Sequence, residues 1–280
     1  MKIVLLTTSI LTEQSVEYLN RLYSSVSNSI ISGIVIEHVM LLQNPHNYRV
    51  PTFERVKNYN LTILIEGEQL SLSEARNRML SFIKGENLIA EIDVVGFPDD
   101  DCWYPNENLA FIFKQFQRNK ELGLFFCKYC EIGHDVPNEQ DIFQNIGATE
   151  VVRNASSNTI FVRGSTVNNL QGFDRELGVG APNNGGEDLD YAIRAFVISR
   201  ESAYLDRYII GHRDKDRDLR GKYYRGSAIV LRRYMFTRFG LLYEALRKLT
   251  IGFVLTWKGE ISIKEFISSL KAVEGDNQLL

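Results

Sequence analysis

The chain has 280 residues, of which 44% are hydrophobic and 24% charged, and its formal net charge is −3. This length and composition exclude a disordered, collagen-like or disulfide-stapled protein, and they allow one large domain or two small ones. The three cysteines are an odd number in a large chain, which favours a reducing compartment, and we expect a cytoplasmic protein.

The N-terminal apolar run predicts a buried first strand rather than a signal peptide. Only Lys2 precedes the run, and no small-residue cleavage site follows it. No segment reaches the roughly 18 consecutive apolar residues that a membrane-spanning helix requires. Any membrane contact is therefore expected to be peripheral, at the inner face of the cell membrane.

Short apolar runs alternate with helical patterns through the first half of the chain. The runs predict strands at residues 3–7, 34–42, 61–65, 94–97 and 122–127. Thr12 is predicted to cap a helix through Ser25, and Ser71 or Ser73 to begin a helix through Ile83. This alternation is typical of an α/β fold with a mostly parallel sheet, which binds ligands at the carboxyl ends of its strands.

The alternation loosens into a polar loop after Gly133. Further on, the sequence predicts strands at residues 159–163 and 203–210, with a Gly-rich stretch and a helix over 187–199 between them. From Lys222 onward the pattern is helical. We therefore divide the chain into a domain of residues 1–221 and a helical, basic C-terminal extension of residues 222–280.

Three consecutive carboxylates, Asp99, Asp100 and Asp101, directly follow a hydrophobic strand. Adjacent like charges repel and need a cation among them. At the ligand-binding edge of an α/β sheet, a divalent ion bound to a diphosphate would supply that charge. A solvated acidic turn is the other interpretation, and the position at a strand end counts against it.

A second acidic group opens the helix that follows Gly185 and Gly186. The helix dipole favours acidic residues in a first turn, so a capping role with an Asp190–Arg194 pair is the structural interpretation. Beside a metal–diphosphate site, a carboxylate here becomes a candidate general base. Arg76, near the start of an earlier helix, is either a phosphate or base clamp or a surface arginine.

Five short segments occur in a characteristic order. They are Thr-Thr-Ser at 7–9, Ser-Glu-Ala-Arg-Asn at 73–77, Phe-Pro-Asp-Asp-Asp-Cys-Trp-Tyr-Pro at 97–105, Gly-Gly-Glu-Asp-Leu-Asp-Tyr-Ala-Ile-Arg at 185–194, and Gly-His at 211–212. In order and spacing, over about residues 1–212, they resemble the family 2 glycosyltransferases of the GT-A fold. The resemblance implies a Rossmann-like, nucleotide-sugar-binding GT-A domain.

The resemblance also implies roles for the acidic run. It matches the DxD motif of the family, whose carboxylates contact the nucleotide ribose and a Mn²⁺ or Mg²⁺ ion bound to the diphosphate. We expect Asp99 on the nucleotide side and Asp101 on the metal, with Asp99 also counted among the metal ligands. Asp100 belongs to the nucleotide-sugar site without a separate role, and His212 lies where related enzymes supply a further metal ligand.

The remaining roles follow in the same way. Arg76 matches an arginine near the base and phosphates, and Thr7 lies at the nucleotide-contacting end of the first strand. Glu187 and Asp188 resemble the acidic motif whose aspartate is the base of inverting transfer. The sequence departs from the family in its Thr-Thr-Ser-Ile after the first strand and in Gln43 and Asn44 after the second, so the nucleotide stays open, with a UDP-sugar preferred.

The sequence thus predicts a metal-dependent, inverting glycosyltransferase of the hexosyltransferase type. Its substrates would be a nucleotide-diphosphate sugar donor and a hydroxyl of a glycan or lipid-linked acceptor, in cell-surface polysaccharide synthesis. Two alternatives remain: a metal-dependent nucleotidyl or phosphoryl transferase that uses the same carboxylates, and a non-catalytic nucleotide-sugar-binding subunit.

The net charge of −3 hides an asymmetry. Residues 207–248 contain 12 Lys and Arg against 4 Asp and Glu. This basic tail could be a solvated face, a nucleic-acid patch or a segment that contacts anionic lipid. Interleaved aromatic and aliphatic residues favour the lipid contact, and the acidic body counts against nucleic acid. These residues are Tyr223, Tyr224, Tyr234, Phe236, Phe239, Leu241 and Leu242.

Two further patterns imitate metal sites. Cys127 and Cys130 have CxxC spacing, and Cys102 and His134 could complete a zinc site. Residues three apart on a strand point to opposite faces, which counts against a shared ion. Residues 214–225 begin like a calcium loop, but the glycine comes two places late and position twelve is Arg225, so we expect a solvated turn.

Overall fold

The computed structural model describes residues 1–30, 33–105, 107–131, 135–144, 146–213 and 219–270. Within these ranges the chain forms one eight-stranded sheet with helices packed against it. Most neighbouring strands are parallel, which confirms the predicted α/β class.

The strands of the sheet follow the order β3-β2-β1-β4-β7-β5-β8-β6. Strands β6 and β7 run antiparallel to their neighbours. Because β4 and β5 both pair with β7, they point the same way, and the carboxyl ends of β1, β4, β5 and β8 meet at one edge. The bounds are β1 (Ile3–Ile10), β2 (Ile36–Gln43), β3 (Tyr59–Glu66), β4 (Val94–Gly96), β5 (Leu122–Cys130), β6 (Ile142–Gln144), β7 (Ile160–Arg163) and β8 (Glu201–Gly211).

The helices include all those predicted and four that the pattern missed, α3, α4, α5 and the short α7. Thr12 and Ser71 cap the first two, as expected, by accepting hydrogen bonds from the backbone N–H groups of Ser15 and Glu74. The bounds are α1 (Glu13–Asn28), α2 (Leu72–Gly85), α3 (Asn108–Arg118), α4 (Ala148–Asn154), α5 (Gly164–Asn169), α6 (Glu187–Ile198), α7 (Leu219–Lys222), α8 (Tyr224–Tyr234), α9 (Phe239–Trp257) and α10 (Ile263–Leu270).

The segment after Gly133 is more structured than the expected polar loop, since it contains β6 and α4. Strand β6 escapes sequence analysis because it has three residues and two of them, Phe143 and Gln144, are exposed. Helix α4 has seven residues, too few for an apolar period to stand out.

Two large hydrophobic cores lie on opposite faces of the sheet. Alternate residues of β1 enter different cores: Val4 and Leu6 pack with α2 and α6, whereas Ile3 and Leu5 pack with α1 and α3. Burial on both faces explains why the strand reads as a continuous apolar run.

The C-terminal helices are joined to the α/β body by a buried polar network. The predicted Asp190–Arg194 pair forms, with Nη2 of Arg194 2.6 Å from a carboxylate oxygen and both side chains fully buried. From α8, Arg233 lies 3.1 Å from the other oxygen and the hydroxyl of Tyr234 donates to it at 2.9 Å. Separating a buried carboxylate from its cationic partners is strongly destabilising, so these contacts fix α8 to α6. The division of the chain at residue 221 remains a prediction.

None of the described helices combines the length and the apolar character needed to cross a bilayer.

A buried histidine ties the first three strands together. The ring nitrogens of His38, on β2, lie 2.9 Å from the hydroxyl oxygen of Thr7 and 2.6 Å from that of Tyr59. Desolvation lowers the pKa of His38 to about 3, so the ring is neutral in the folded chain. Thr7 itself is fully buried, and its hydroxyl is hydrogen-bonded to His38 inside the sheet.

We predict that His38 costs the protein stability in mild acid. The pKa of the imidazole is 6.5 in an unfolded chain and about 3 in the folded one. As the pH falls below 6.5, the unfolded state gains a proton that the folded state does not bind, at a cost of about 1.4 kcal/mol per pH unit. Urea denaturation between about pH 7 and about pH 4 measures this slope.

His38→Asn should flatten the slope, whereas His46→Asn, at an exposed histidine, should leave it unchanged. Equal slopes for the wild type and His38→Asn would show that the histidine is not held neutral.

Candidate active site

The two acidic motifs meet around one buried arginine. Asp99 follows β4, and Glu187 begins α6. Arg76 of α2 lies between them, with Nη2 3.0 Å from a carboxylate oxygen of Asp99 and Nη1 3.7 Å from one of Glu187. The arginine side chain is only 2% exposed. It is therefore the cation that the acidic residues require, and not the surface arginine of the alternative interpretation.

Two polar atoms in this cluster have no hydrogen-bond partner in the described part of the chain. They are Nη1 of Arg76 and Oε2 of Glu187, and both are buried. Buried polar atoms in native proteins are nearly always hydrogen-bonded. The arrangement is consistent with a polar ligand that completes the cluster.

The chain after the acidic run is joined to the end of β8, and this brings His212 to Asp101. The backbones of Trp103 and Gly211 exchange two hydrogen bonds, of 3.0 and 2.9 Å. A Cβ atom on Gly211 would lie 1.9 Å from the Trp103 ring, so a glycine is required there. As a result, Nε2 of His212 lies 3.0 Å from a carboxylate oxygen of Asp101 and 3.7 Å from one of Asp99.

The charges of this pair are coupled. Burial raises the pKa of Asp101, but its hydrogen bond to His212 and the nearby cations His212 and Arg213 outweigh this and lower it. Burial likewise lowers the pKa of His212, but Asp101 and Asp99 raise it more strongly. The guanidinium of Arg213 lies 3.0 Å from the second oxygen of Asp101. The carboxylate thus has a cationic partner on each oxygen.

The donor set fits a hard divalent cation. Among the described residues, the group that brings at least three ligand-type side chains within 4.8 Å of one another is Asp101, Cys102 and His212. Burial, with the charges of Asp99 and Asp101, raises the pKa of Cys102 well above its usual value, so its thiol stays protonated. An oxygen of Asp101 and a nitrogen of His212 remain, and Asp99 lies outside this group with a carboxylate oxygen 3.7 Å from that nitrogen. Oxygen and nitrogen donors of this kind suit Mn²⁺ or Mg²⁺.

The predicted base motif is desolvated. Burial raises the pKa of Asp188, against the charge of Arg76, and its carboxylate accepts the backbone N–H of Leu189 at 2.7 Å. Burial and the charge of Asp188 raise the pKa of Glu187 to about 7. Glu187 is buried and paired with Arg76, whereas Asp188 is half-buried, so Asp188 is the more reachable of the two.

Two predicted site residues have other partners. The hydroxyl of Ser9 donates to Asp100, whose pKa burial raises to about 6. Thr7 is fully buried against His38, so the geometry does not favour the predicted nucleotide contact. Ser9, two residues further along β1, reaches the acidic run instead.

Three residues beside this site were not among the predicted site residues. The Tyr129 ring, near the end of β5, lies 4.9 Å from the His212 ring. Tyr223 precedes α8. Burial raises the pKa of Tyr223, and the charges of Glu187, Asp99 and Asp188 raise it further. Arg213 pairs with Asp101. Isolated tyrosines at element ends carry no motif, but the residue next to His212 could have been found by following that motif one position further.

The Gly-rich loop packs directly against the extension. Gly186 caps α6 with a left-handed φ of 88°, which favours glycine. A Cβ on Gly226, in α8, would lie 1.9 Å from the backbone oxygen of Gly185. The contact with α8 therefore holds the start of α6, with Glu187 and Asp188, in place.

The cysteine pattern does not gather into one site within the described residues. The thiol of Cys127 is buried and lies 3.8 Å from the backbone oxygen of Thr159. His134 and residues 214–218, which include the start of the calcium-like loop, lie outside the described residues.

No protein-family model and no curated protein sequence matches the chain. Solved structures do match. TarS from S. aureus, a glycosyltransferase, superposes with a TM-score of 0.65 at 15% identity, over 97% of this chain and 49% of that one. The 1–349 fragment of TarS in complex with UDP superposes with a TM-score of 0.64 at 14% identity, over 96% and 81% of the two chains. The complex of this fragment with UDP-GlcNAc superposes with a TM-score of 0.64 at 14% identity, over 96% of this chain and 80% of that one.

These similarities confirm a GT-A-like fold. The chain spans about half the length of the longer TarS structure. Membership of family 2 in particular remains a resemblance carried by the motifs.

We predict that Glu187→Gln stabilises the protein above neutral pH. The pKa of Glu187 rises from 4.5 in an unfolded chain to about 7 in the folded one. The folded state therefore holds a proton that the unfolded state releases, and stability falls as the pH rises from about 4.5 to about 7. The glutamine variant lacks this loss, so its stability advantage over the wild type should grow across that interval, on the order of 3 kcal/mol.

Urea denaturation at several pH values checks this prediction, with Glu176→Gln, at an exposed glutamate, as the matched control. An advantage that does not change with pH would contradict a protonated Glu187.

Proposed function

We propose that the chain is a metal-dependent, inverting glycosyltransferase that moves a sugar from a nucleotide-diphosphate donor to an acceptor hydroxyl. The observation that carries this proposal is the meeting of Asp99 and Glu187 around buried Arg76, with Asp101 and His212 beside them. The GT-A-like fold and the TarS complexes with UDP and UDP-GlcNAc support a UDP-sugar as the donor.

The residues that would hold the metal ion are Asp101, Asp99 and His212. When bound, Mn²⁺ or Mg²⁺ would offset the negative charge that accumulates on the diphosphate as the bond to the sugar breaks. His212 and Arg213 each pair with one oxygen of Asp101, which keeps this carboxylate ionised. His212 would have to release its proton to bind the metal ion.

Asp188 is the base in this proposal. Its pKa is raised by burial, which brings a carboxylate closer to the basicity that general base catalysis at neutral pH requires. It would take the proton of the acceptor hydroxyl as the oxygen attacks the sugar on the face opposite the diphosphate, which gives inversion. Glu187 would act by holding Arg76, and through it Asp99, in position.

The acceptor and the location are also proposed. We infer a hydroxyl of a glycan or a lipid-linked glycan, as in cell-surface polysaccharide synthesis, and a cytoplasmic enzyme that meets an anionic membrane through its C-terminal extension. The aromatic rings of Tyr129 and Tyr223 beside the acidic cluster would suit the apolar faces of a sugar.

Donor cleavage in the presence of Mn²⁺ tests the reaction. We predict that the wild type releases sugar and nucleoside diphosphate from a UDP-sugar such as UDP-GlcNAc. Asp188→Asn should lower the rate about 10²- to 10⁴-fold, the usual contribution of a general base, and should still be thermally stabilised by UDP with Mn²⁺. Asp101→Ala should lose both activity and the Mn²⁺-dependent stabilisation, whereas Asp141→Asn, at a surface ion pair, should lose neither.

The products separate this proposal from the alternatives. Release of pyrophosphate would indicate a nucleotidyl transferase, and stabilisation by UDP-sugars without turnover on any acceptor would indicate a binding subunit. Unchanged turnover in Asp188→Asn would contradict the assignment of the base.

A further inference from the structure

Helix α9 presents a row of apolar side chains to solvent. They are spaced three, four or seven residues apart and therefore lie on one side of the helix. Phe239, Phe253 and Trp257 are 87%, 68% and 83% exposed. We call this row the α9 apolar face; its members are Phe239, Tyr243, Leu246, Phe253 and Trp257.

Neighbouring residues extend the face at both ends. Phe236, before α9, is 85% exposed, and Ile263 and Ile267 of α10 are also exposed. From Phe239 to Trp257 the helix is about 27 Å long, at 1.5 Å per residue. Soluble proteins rarely leave a continuous apolar surface of this size uncovered unless it binds something.

The charges exposed on α9 itself are of one sign. Between Met235 and Gly259 the only carboxylate is Glu244, which is fully buried and paired with Arg153 and Arg247. Arg238 and Lys258 are exposed at the two ends of α9. The surface of this helix is therefore apolar and cationic, and exposed glutamates begin only at Glu260.

A second copy of the chain fits this surface poorly. If two α9 helices packed antiparallel, Arg238 of one would approach Lys258 of the other, and if they packed parallel, each cation would approach its own copy. Either arrangement brings like charges together beside an apolar contact. An anionic lipid headgroup has the opposite sign and complements both ends.

The positions of the aromatic residues also suit a bilayer surface. Phe236 and Phe239 lie at one end of the face and Trp257 at the other. Trp favours the boundary between headgroups and acyl chains, and Phe is common on the apolar side of helices that lie in this interface. A helix that cannot span the bilayer but has a long apolar side and flanking cations is typical of one that lies in the plane of the interface.

This surface differs from the basic, aromatic tail expected from the sequence. Tyr224, Tyr234 and Leu241 of that tail are buried in the packing of the extension. Several cations of the tail form ion pairs with carboxylates of the α/β body. These pairs are Arg207–Asp141, Arg213–Asp101 and Arg233–Asp174. The exposed surface keeps Phe236 and Phe239 of that tail and continues beyond residue 242 along α9 to Trp257.

We propose that the α9 apolar face binds an anionic lipid bilayer. The helix would lie parallel to the membrane, with its aromatic side chains in the interface and Arg238 and Lys258 against headgroup phosphates. The inference assigns the membrane contact proposed for the extension to one surface. It rests on the exposed face and its charges, and does not require the proposed sugar transfer.

Vesicle flotation with the full chain tests this inference. The probes are vesicles of phosphatidylcholine alone and of phosphatidylcholine mixed with phosphatidylglycerol. We expect binding to the mixed vesicles, weaker binding at high salt, and at least about a tenfold loss in a triple serine variant of the face. That variant replaces Phe239, Phe253 and Trp257, and its matched control replaces the exposed Ile65, Ile92 and Val136 by serine.

A charge variant separates the electrostatic part. Arg238→Glu with Lys258→Glu should lose the preference for anionic vesicles, whereas Lys57→Glu with Lys114→Glu, at exposed positions elsewhere, should keep it. Trp257 fluorescence should shift to the blue when mixed vesicles are added, and Trp257→Phe should bind without that shift. Melting temperatures equal to wild type confirm that the variants fold.

Three results would overturn the proposal. These are no flotation of the wild type, equal flotation of the triple variant and its control, or conversion of a dimer to a monomer by the triple variant in light scattering. The last would show that a second copy covers the face. Donor cleavage by the triple variant without vesicles reports separately on the transfer reaction, so the two proposals can fail independently.

Discussion

The candidate site depends on one buried guanidinium. Arg76 is the cation that allows Asp99, from the end of β4, to lie near Glu187, from the start of α6. Carboxylates gathered at a desolvated sheet edge repel one another and would separate or become protonated without it. Because burial still raises the pKa of Glu187 and Asp188, the site keeps electrostatic strain that a bound metal ion or a polar ligand would relieve.

The C-terminal extension contributes to the same site through its packing. Gly226 of α8 touches the backbone of Gly185, just before the acidic motif. One turn further along α6, Asp190 is held by Arg233 and Tyr234 of the extension. The extension therefore fixes the helix that presents the proposed base, while its α9 apolar face, on a different helix, stays exposed.

Sequence reasoning succeeded where a local pattern decides the structure. Strand periodicity, the Thr12 and Ser71 caps, and the carboxylates at a strand end all follow from neighbouring residues. It was less informative where a distant partner decides: nothing near Thr7 shows that His38, 31 positions away, engages its hydroxyl. The exposure of Phe253 could not be predicted either, because an apolar helical position reads the same whether a neighbouring helix covers it or not.

The central claim is that Asp101, Asp99 and His212 form the metal and diphosphate end of a nucleotide-sugar site. A crystal structure with Mn²⁺ and UDP tests it most directly through the anomalous signal of the metal. We expect one peak within coordination distance of Asp101 and His212, with the UDP diphosphate on its other side. UDP bound elsewhere, or at this edge with no metal in contact with these side chains, would contradict it.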